Sequence, residues 1–457
     1  MTMSPAAWVM RAMALLVVYA VPALADQSQS SPVGFPARSL PNKPSAPAQG
    51  ASEWLESFTI SGKDGVCVAI TGGAGQIAYA LVPLILHGCV FGEGRKVRLR
   101  LLDIEPCSGA LQGVAMEIMD SYSELVTEVV TTCDPEVAFE GADVAVLLGG
   151  FPRLPGMERR DLIAKNAPIM AEHGRALAKC ASDGVRVLVV ANPACTNCLI
   201  ASISAPSIPR SHFSSLARLD QDRLSAMLAE EFSSEAFTAT ASASLFLPYA
   251  CSYRWLSYRQ EMMDLKLAPT RVAVRGAYLW GNHSPTMWPD VSRAEIKAGG
   301  RWVPIEKGAA LKHEGIRDPA VATDAEVDAA KAGWREWVRE TLVPAVRDRG
   351  TRVIEARGKS SALSAANAIA NHLKDWLSCP AGASGGVSMG VFSDGNPYGV
   401  PDGLVCSFPV ECGEGRHQIL EGFQPDGAML EASAQELVDE RQEALETLRE
   451  SGLWTQP

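Results

Sequence analysis

Two short segments of the chain carry the residue types that proton transfer requires. The first contains Asp220 and, three residues later, Arg223, on a segment predicted to be helical. In the second, His283 follows the apolar, strand-like run 277–280 after two intervening residues. A histidine held by a carboxylate donates and accepts protons near neutral pH, and a guanidinium beside it can bind a substrate carboxylate. These residues therefore predict acid–base chemistry on a small carboxylate substrate.

A glycine-rich turn follows a continuous apolar run, which predicts a buried strand at 66–71 and then an apolar helix to about His87. Glycines at such a turn let backbone N–H groups approach a pyrophosphate at the helix N-terminus. A turn of this kind alone could simply connect a strand to a helix, with no role in binding. Here it lies upstream of the acid–base residues, so it indicates hydride transfer between a dinucleotide and a 2-hydroxy acid. The predicted cofactor contacts in the turn are Gly72, Gly73, Ala74, Gly75, Gln76, Ile77 and Ala78.

The choice between NAD and NADP depends on one carboxylate. The next predicted strand, 96–102, ends in Asp103. A carboxylate at that position can accept hydrogen bonds from both ribose hydroxyls and would repel a 2′-phosphate. The sequence therefore predicts NAD as the cofactor.

The strand pattern extends across the N-terminal half. Two more buried strands are predicted at 142–148 and 185–191, with helix-like segments between the strands. This alternation predicts an α/β fold with a Rossmann-type, doubly wound parallel sheet, followed by a C-terminal α+β catalytic domain. With 457 residues the chain is long enough for two domains. We place the NAD-binding domain at 63–208 and the catalytic domain at 209–450.

Polar residues follow two of these strands. A Pro-Gly loop after the third predicted strand carries Arg153 and, at its end, Arg159, while Asn192 follows the fourth. A Gly- and Pro-bounded loop at the mouth of a cleft can act as a lid that delivers a charge on closing. By itself, the loop could equally carry two solvated surface arginines. The amide of Asn192 could bond a substrate hydroxyl or the nicotinamide region.

With these residues in place, the chain resembles malate dehydrogenase, in the cytosolic and plastid group of the lactate/malate dehydrogenase family. The resemblance runs from about Val66 to Leu448. Its strongest blocks are TGGAGQIAYAL, GFPRLPGMERRDL, NPACTNCL, SAPSIP, ARLDQDR, WGNHSPTMWPDV and VSMGVFSDGNPYGVP.

The resemblance implies a role for each candidate residue of the site. It implies that His283 is the acid/base and Asp220 its orienting partner. Arg223 would pair with the C1 carboxylate of malate, and Arg153 and Arg159 would take the lid and hydroxyl-polarising roles.

The resemblance also implies further contacts with substrate and cofactor. Asn192 would hold both of them, and Ser360 and Ser361 would line the nicotinamide side. His173 stands where the family has glutamine. The implied cofactor contacts outside the glycine-rich turn are Asp103, Asn166, His173, Val190, Ala191 and Asn192.

Composition limits the partners. The formal net charge is -11, and no basic run interleaved with aromatics occurs, so nucleic acid is not expected as a partner. The expected partner is the small-molecule substrate, malate or oxaloacetate, and the resemblance implies a homodimer. Cys195 and Cys198 have the spacing of a redox or zinc pair, but no second ligand pair stands near them, and we expect no metal.

The N-terminal segment differs from the rest of the chain. Residues 1–25 have the apolar run and small-x-small end of a signal peptide, too short for a comfortable membrane span, so no stable anchor is expected after its removal. Residues 26–62 are transit-like and predicted to be disordered. Together they predict a plastid location, with secretion or the cytoplasm as alternatives. The cysteines number eleven, and several lie within apolar runs, which favours a reducing compartment.

One segment departs from the family pattern. Roughly thirty extra residues, about 233–264, separate the helix of Asp220 from the strand that leads to His283, longer than most loops in compact domains. The insert could be a surface excursion, a partner-binding arm or translated intron sequence. Three alternative functions stay open: an NADP-dependent plastid malate dehydrogenase, a lactate dehydrogenase-like enzyme, or an NAD-binding protein whose catalysis the insert impairs.

Overall fold

A computed structural model describes residues 65–153, 156–233, 272–298, 301–314, 324–383 and 385–453. The predicted signal and transit segments, 1–25 and 26–62, lie outside the described residues. The predicted insert, 233–264, also lies outside them apart from Ser233. In the described part of the chain, no helix is long and apolar enough to cross a membrane.

Six parallel strands form the first part of a nine-stranded sheet. They are β1 (Val66–Thr71), β2 (Val97–Leu102), β3 (Val126–Thr132), β4 (Val144–Leu147), β5 (Arg186–Val189) and β6 (Phe213–Ser215). Their order across the sheet is β3-β2-β1-β4-β5-β6. Strand order reverses between β1 and β4, and open α/β sheets bind ligands at the crevice above such a point. The Rossmann-type fold class is therefore confirmed.

Helices connect these strands. They are α1 (Gln76–Leu86), α2 (Ser108–Asp120), α3 (Pro135–Phe139), α4 (Arg159–Cys180) and α5 (Ala194–Ile203). At the start of α4, a capping box joins Glu158 and Asp161, which fixes where the helix begins. Helix α4 then lies closely against α5, because a Cβ at Gly174 would stand 2.3 Å from the carbonyl oxygen of Ala201. This packing holds the loops before both helices at the same edge of the sheet.

Three antiparallel strands extend the same sheet, in the order β6-β12-β13-β14. They are β12 (Val387–Phe392), β13 (Val405–Gly413) and β14 (Arg416–Ile419). The junction is a single residue pair, Gly390 with Ser215, and a Cβ at Gly390 would stand 1.8 Å from the Ser215 hydroxyl. The main sheet thus continues from the N-terminal half of the chain into the C-terminal half.

The remaining elements surround this extension. A small three-stranded sheet and a two-stranded sheet comprise β7 (Val274–Arg275), β8 (Tyr278–Trp280), β9 (Trp288–Asp290), β10 (Glu295–Ala298) and β11 (Arg301–Pro304). The helices are α6 (Arg218–Phe232), α7 (Ile305–Glu314), α8 (Asp324–Trp337), α9 (Val343–Arg357), α10 (Leu363–Leu373) and α11 (Gly427–Glu450). One π-helical turn, Val338–Leu342, precedes α9, and another, Lys374–Ser378, follows α10.

A second apolar cluster fixes the helix that carries Asp220. The inner face of α6 buries Leu224, Leu228 and Phe232 against β7–β11 and α8. The ring of Phe232 lies 5.7 Å from that of Trp334. Because this cluster is separate from the core of the main sheet, α6 is held by packing on a face independent of its contacts with the strands.

Among the six parallel strands, the sequence prediction missed two, β3 and β6. The strand at 66–71 lies where it was predicted, while those expected at 142–148 and 185–191 are shorter, at β4 and β5. The missed β3 lies at the sheet edge, and β6 has three residues. Both lack the continuous apolar run that signals a strand buried on two faces. The proposed domain division at 208/209 stays a prediction.

Candidate active site

The two acid–base candidates meet. Asp220, in the first turn of α6, accepts a hydrogen bond from His283, with 2.5 Å between its Oδ2 and the ring Nδ1. Asp220 is 4% exposed, whereas the side chain of His283, on the loop after β8, is 33% exposed. The other carboxylate oxygen accepts from Arg223 Nη1 at 2.9 Å. Since Nδ1 is bonded to Asp220, Nε2 is the ring nitrogen left to exchange a proton with a substrate.

Charge determines how this pair titrates. The Asp220 carboxylate raises the pKa of His283 above 6.5, although burial and the nearby Arg223 and Arg159 oppose the rise. Burial favours a raised pKa for Asp220, but the charges and hydrogen bonds of His283 and Arg223 outweigh it and hold that pKa below 3.8. The pair therefore favours an imidazolium beside a carboxylate.

Arg223 is fixed from two sides. Its Nη1 binds Asp220, and its Nη2 donates to the Ser361 hydroxyl at 3.2 Å. Its side chain is 11% exposed. Ser361 lies two residues before α10. The guanidinium is thus oriented by both partners before any substrate arrives.

The two loop arginines have different surroundings. Arg159, the first residue of α4, bonds through Nε to the buried carboxylate of Glu440 on α11, and it is close enough to lower the pKa of His283. Arg153 is exposed, with a long contact of 3.4 Å from its Nε to the carbonyl oxygen of Met157. The structure therefore links Arg159 to the His283 loop through Glu440, which also accepts from Asn282, and leaves Arg153 on the surface loop.

The glycine-rich turn has the shape that a dinucleotide needs. Gly72 has φ +67°, and a Cβ there would stand 3.0 Å from the backbone of Gly149. The backbone of the turn therefore lies so close to the loop after β4 that only glycine fits at this position. Gly75 is the N-cap residue of α1 and provides no side-chain cap. The first N–H groups of the helix have no acceptor within the helix and are available to an anion.

Asp103 stands beside this turn. Its carboxylate accepts hydrogen bonds from the backbone N–H of Ala74 at 2.9 Å and of Ile104 at 2.8 Å. Each carboxylate oxygen keeps a lone pair for a further donor. Together with the glycines, this carboxylate fits an adenine ribose and pyrophosphate. An open groove continues from the turn, lined by Ala74, Gln76, Tyr79, Ala80, Arg357, Ala362 and Leu363.

Two of the expected cofactor contacts, Asn166 and His173, have buried side chains, and their contact with the cofactor stays a prediction. Asn166 is fully buried: its Oδ1 accepts from Phe151 N at 2.6 Å, and its Nδ2 donates to the Asn192 carbonyl at 2.9 Å. His173 is 6% exposed, lies edge-on against Phe139 and has a pKa lowered by burial to about 4. Both side chains lie on the buried face of α4. Asn166 bonds the backbone of Phe151 and Asn192, and His173 packs against Phe139.

Three further candidate cofactor contacts follow directly after β5. Val190 is half-buried, Ala191 is buried and Asn192 is exposed. The N–H groups of Val190 and Ala191 both donate to Leu147, the last residue of β4. Asn192 is therefore exposed at the end of β5, the strand that neighbours β4 on the side away from β1.

Two pairs of cysteines that lie close in sequence, 195/198 and 406/412, are buried. Cys195 and Cys198 are buried in α5, and burial raises the pKa of Cys195 to about 11. Cys406 and Cys412 lie on one strand, β13, about 20 Å apart along it, too far for a disulfide. Within the described ranges, no three or more His, Cys, Asp or Glu side chains are arranged to hold a metal ion.

Sequence reasoning missed the acidic and hydroxyl residues of α11. Ser433, Glu436 and Glu440 bond to the loop that carries His283 or to Arg159. Their spacing places them on one face of a helix. That spacing is common on exposed helices, so it gives no signal that these side chains would be buried.

Two family profiles match this chain. Residues 66–214 match the lactate/malate dehydrogenase NAD binding domain. Residues 320–448 match the lactate/malate dehydrogenase alpha/beta C-terminal domain.

Individual relatives cover nearly the same length. The chain is 40% identical to the cytoplasmic malate dehydrogenase of Rattus norvegicus, over 83% of this chain and 97% of that protein. Among solved structures it is similar to a malate dehydrogenase from Naegleria fowleri, with TM-score 0.65 and 35% identity over 84% and 98% of the two chains. It is also similar to a Trichomonas vaginalis lactate dehydrogenase in complex with NADH and oxamate, with TM-score 0.65 and 30% identity over 84% and 99%.

Proposed function

This chain belongs to the lactate/malate dehydrogenase family, and we propose that it catalyses the reversible NAD-dependent oxidation of (S)-malate to oxaloacetate. The observation that carries the proposal is the buried Asp220 carboxylate, which bonds His283 through one oxygen and Arg223 through the other. A proton-transfer group and a carboxylate-binding group are thus fixed to the same anchor. This arrangement suits a 2-hydroxy acid, in which the reacting hydroxyl neighbours a carboxylate.

His283 moves the proton. In malate oxidation, neutral Nε2 accepts the proton of the substrate hydroxyl, and Asp220 stabilises the imidazolium that forms. In oxaloacetate reduction, the imidazolium returns this proton to the carbonyl oxygen. The raised pKa of His283 keeps part of the enzyme in the protonated form near neutral pH.

Three arginines match the two carboxylates and the reacting oxygen of the substrate. Arg223 binds the C1 carboxylate, and Arg159, beside His283, polarises the reacting C–O bond. Arg153, exposed on its loop, would close over the C4 carboxylate, because the two groups carry opposite charges. A substrate without the second carboxylate would leave this charge unpaired in the closed cleft, which is costly.

Bound NAD supplies the hydride acceptor for malate oxidation, and its reduced form supplies the hydride donor for the reverse reaction. The turn at 72–78 holds the pyrophosphate through backbone N–H groups, and Asp103 holds the adenine ribose. Val190, Ala191 and Asn192 face the nicotinamide end. The carboxylate of Asp103 disfavours NADP, whose 2′-phosphate would meet a like charge.

Steady-state turnover of the full chain tests the proposal. We expect oxaloacetate with NADH to give the highest kcat/KM among the four pairings of oxaloacetate or pyruvate with NADH or NADPH. Faster pyruvate turnover would favour the lactate dehydrogenase-like alternative. Faster turnover with NADPH would favour the NADP-dependent alternative and contradict the role of Asp103. NADH binding with no turnover of either substrate would favour a catalytically impaired protein.

We further propose a homodimer. Helix α2 and the residue pair after it leave Met116, Met119 and Tyr122 at 64%, 66% and 90% exposure. Tyr79 on α1 is 51% exposed, and its hydroxyl donates to Glu117 of α2. Large apolar side chains grouped on one surface are typical of protein–protein contacts. Sedimentation equilibrium of the wild-type chain and of the Met119→Glu variant measures the assembly directly, and a wild-type monomer would contradict it.

For location, we propose the plastid, with residues 1–25 and 26–62 as a bipartite leader. The cytoplasmic name of the rat relative supports the cytoplasm as the alternative. Imaging the full chain and a chain starting at Lys63, each fused to a fluorescent protein, separates the two, because a leader changes the location only when it is present.

A further inference from the structure

Glu440 on α11 binds three different parts of the site. Its carboxylate accepts hydrogen bonds from Arg159 Nε, from the Thr196 hydroxyl and, at 2.8 Å, from the side-chain Nδ2 of Asn282. Glu440 is 5% exposed. A buried carboxylate with three donors is costly to leave unpaired, so these contacts constrain one another.

Each donor belongs to a separate segment of the chain. Arg159 begins α4, and Thr196 is in the first turn of α5, directly after the Asn192-Pro193 step. Asn282 immediately precedes His283. One carboxylate therefore ties together the start of α4, which carries Arg159, the start of α5, which follows Asn192, and the loop that carries His283.

Helix α11 holds the His283 loop at further points. The Ser433 hydroxyl accepts from the backbone N–H of Asn282 at 2.6 Å. Glu436 accepts from the hydroxyls of Ser284 at 2.5 Å and Thr286 at 2.6 Å. Gly281 has φ +89°, and a Cβ there would stand 2.2 Å from the Ser433 hydroxyl. The loop is thus seated on this face of α11 on both sides of His283.

The contact with Glu440 also decides which part of Arg159 is free. Nε is taken by the carboxylate, while the terminal Nη2 is buried and has no hydrogen-bond partner among the described residues. Arg159 is close enough to lower the pKa of His283. Glu440 thus restrains Arg159 at Nε and leaves Nη2, a buried donor with no partner among the described residues, available to a substrate oxygen.

We infer that Glu440 is a positioning residue for the oxidation and reduction of the substrate: it orients Arg159 for the reacting oxygen and anchors the loop of His283. This inference rests on the proposed role of Arg159. Glu440 itself touches neither the substrate nor the cofactor. Its effect should therefore appear in the chemical step and not in the binding of NADH, which uses the turn at 72–78.

Four variants of the full chain test the inference: Glu440→Ala, Glu440→Gln, Arg159→Gln and the double variant Glu440→Ala/Arg159→Gln. Glu431→Ala, an exposed position on the same helix, is the matched control. The measurements are kcat and KM for oxaloacetate, the Kd of NADH from protein fluorescence, and the thermal midpoint. The Kd and the midpoint report whether a variant is folded.

We expect Glu440→Ala to lower kcat roughly 10- to 100-fold, the range for losing a charged hydrogen bond, with the Kd of NADH unchanged within about twofold. Glu440→Gln keeps an acceptor oxygen for Arg159 and Asn282 but loses the negative charge, so we expect a smaller loss of about three- to tenfold. In the Arg159→Gln background, Glu440→Ala should lower kcat by a smaller factor than in the wild type, because the part that acts through Arg159 is already lost and only the anchoring of the His283 loop through Asn282 remains. Glu431→Ala should match the wild type.

Two results would overturn the inference by different routes. Wild-type kcat in both Glu440 variants, with Arg159→Gln impaired, would remove the role of Glu440 and leave that of Arg159 standing. Wild-type kcat in Arg159→Gln would remove both roles. If Glu440→Ala does not fold, Glu440→Gln decides: wild-type kcat contradicts the inference, and a kcat lowered about three- to tenfold with an unchanged Kd of NADH supports it.

Discussion

Asp220 Oδ2 and His283 Nδ1 lie 2.5 Å apart, although 63 positions separate the two residues in the chain. The contact joins the first turn of α6 to the loop after β8. It also sets the protonation state of the site, since it raises the pKa of one partner and lowers that of the other.

Removing the charge of Asp220 should slow catalysis and shift its pH dependence. Reduction of oxaloacetate uses protonated His283, so kcat/KM falls as pH rises through a pKa above 6.5, and malate oxidation rises through the same pKa. We expect Asp220→Asn to lower kcat at least about a hundredfold and to move this inflection to lower pH. Asp222→Asn is the control, because Asp222 pairs with Arg218 on the same helix. An unmoved inflection would contradict the pairing.

The same pair predicts a pH window for stability. A raised histidine pKa stabilises the fold fully below 6.5, and this contribution is lost as pH rises through the folded pKa. A lowered carboxyl pKa stabilises the fold above 3.8, and this contribution is lost as pH falls through the folded pKa. The free energy of unfolding lost in Asp220→Asn should therefore be largest between these two values. Urea titrations of the wild type and the variant across pH 4 to 8 measure it, and a loss independent of pH would speak against the charge pair.

Arg153 should decide between a dicarboxylate and a monocarboxylate. With Arg153→Gln, the second carboxylate of oxaloacetate loses its partner and pyruvate no longer leaves a charge unpaired. We expect the ratio of kcat/KM for oxaloacetate over pyruvate to fall about a hundredfold. Arg160→Gln is the control, because Arg160 is an exposed residue of the same region that pairs with Glu158. A ratio that stays at the wild-type value would refute the role of Arg153.

The undescribed segment 234–271 should be dispensable for catalysis. The residues on either side of it touch, since the Ser233 hydroxyl accepts from Val272 N at 3.0 Å. A short Gly-Ser linker can therefore close the chain at this point without moving α6 or β8. We expect kcat of the shortened chain to stay within about twofold of the wild type. Loss of turnover with NADH binding retained would show that the segment itself contributes to the site.

The paired cysteines of α5 should be inert. Cys195 and Cys198 are buried, and burial raises the pKa of both thiols, that of Cys195 to about 11, so little reactive thiolate is present at pH 8. We expect iodoacetamide to modify the exposed Cys89 first and to reach the buried pair only after denaturation. Peptide mass spectrometry over time measures the order, and early modification of the pair would restore a redox or metal interpretation.

The local elements of the site could be predicted from the sequence. The apolar run 66–71, the glycines that follow it and the terminal Asp103 predict a strand, a turn and a dinucleotide site because each signal lies within a few residues. The helix that carries Asp220 and the strand before His283 were predicted for the same reason. The two missed strands, β3 and β6, lack such a signal: one is an edge strand and the other is too short.

Only the tertiary structure decided which of these residues meet. The sequence provided Asp220, Arg223, Arg159 and His283 as residue types with the right chemistry. Their contacts arise from packing between distant segments, which no local pattern encodes. Asn166 and His173 turn inward because α4 buries their face, and Glu440 becomes a shared acceptor because α11 lies over the starts of α4 and α5. Local sequence determines the elements of this protein, and long-range packing determines the geometry in which they act.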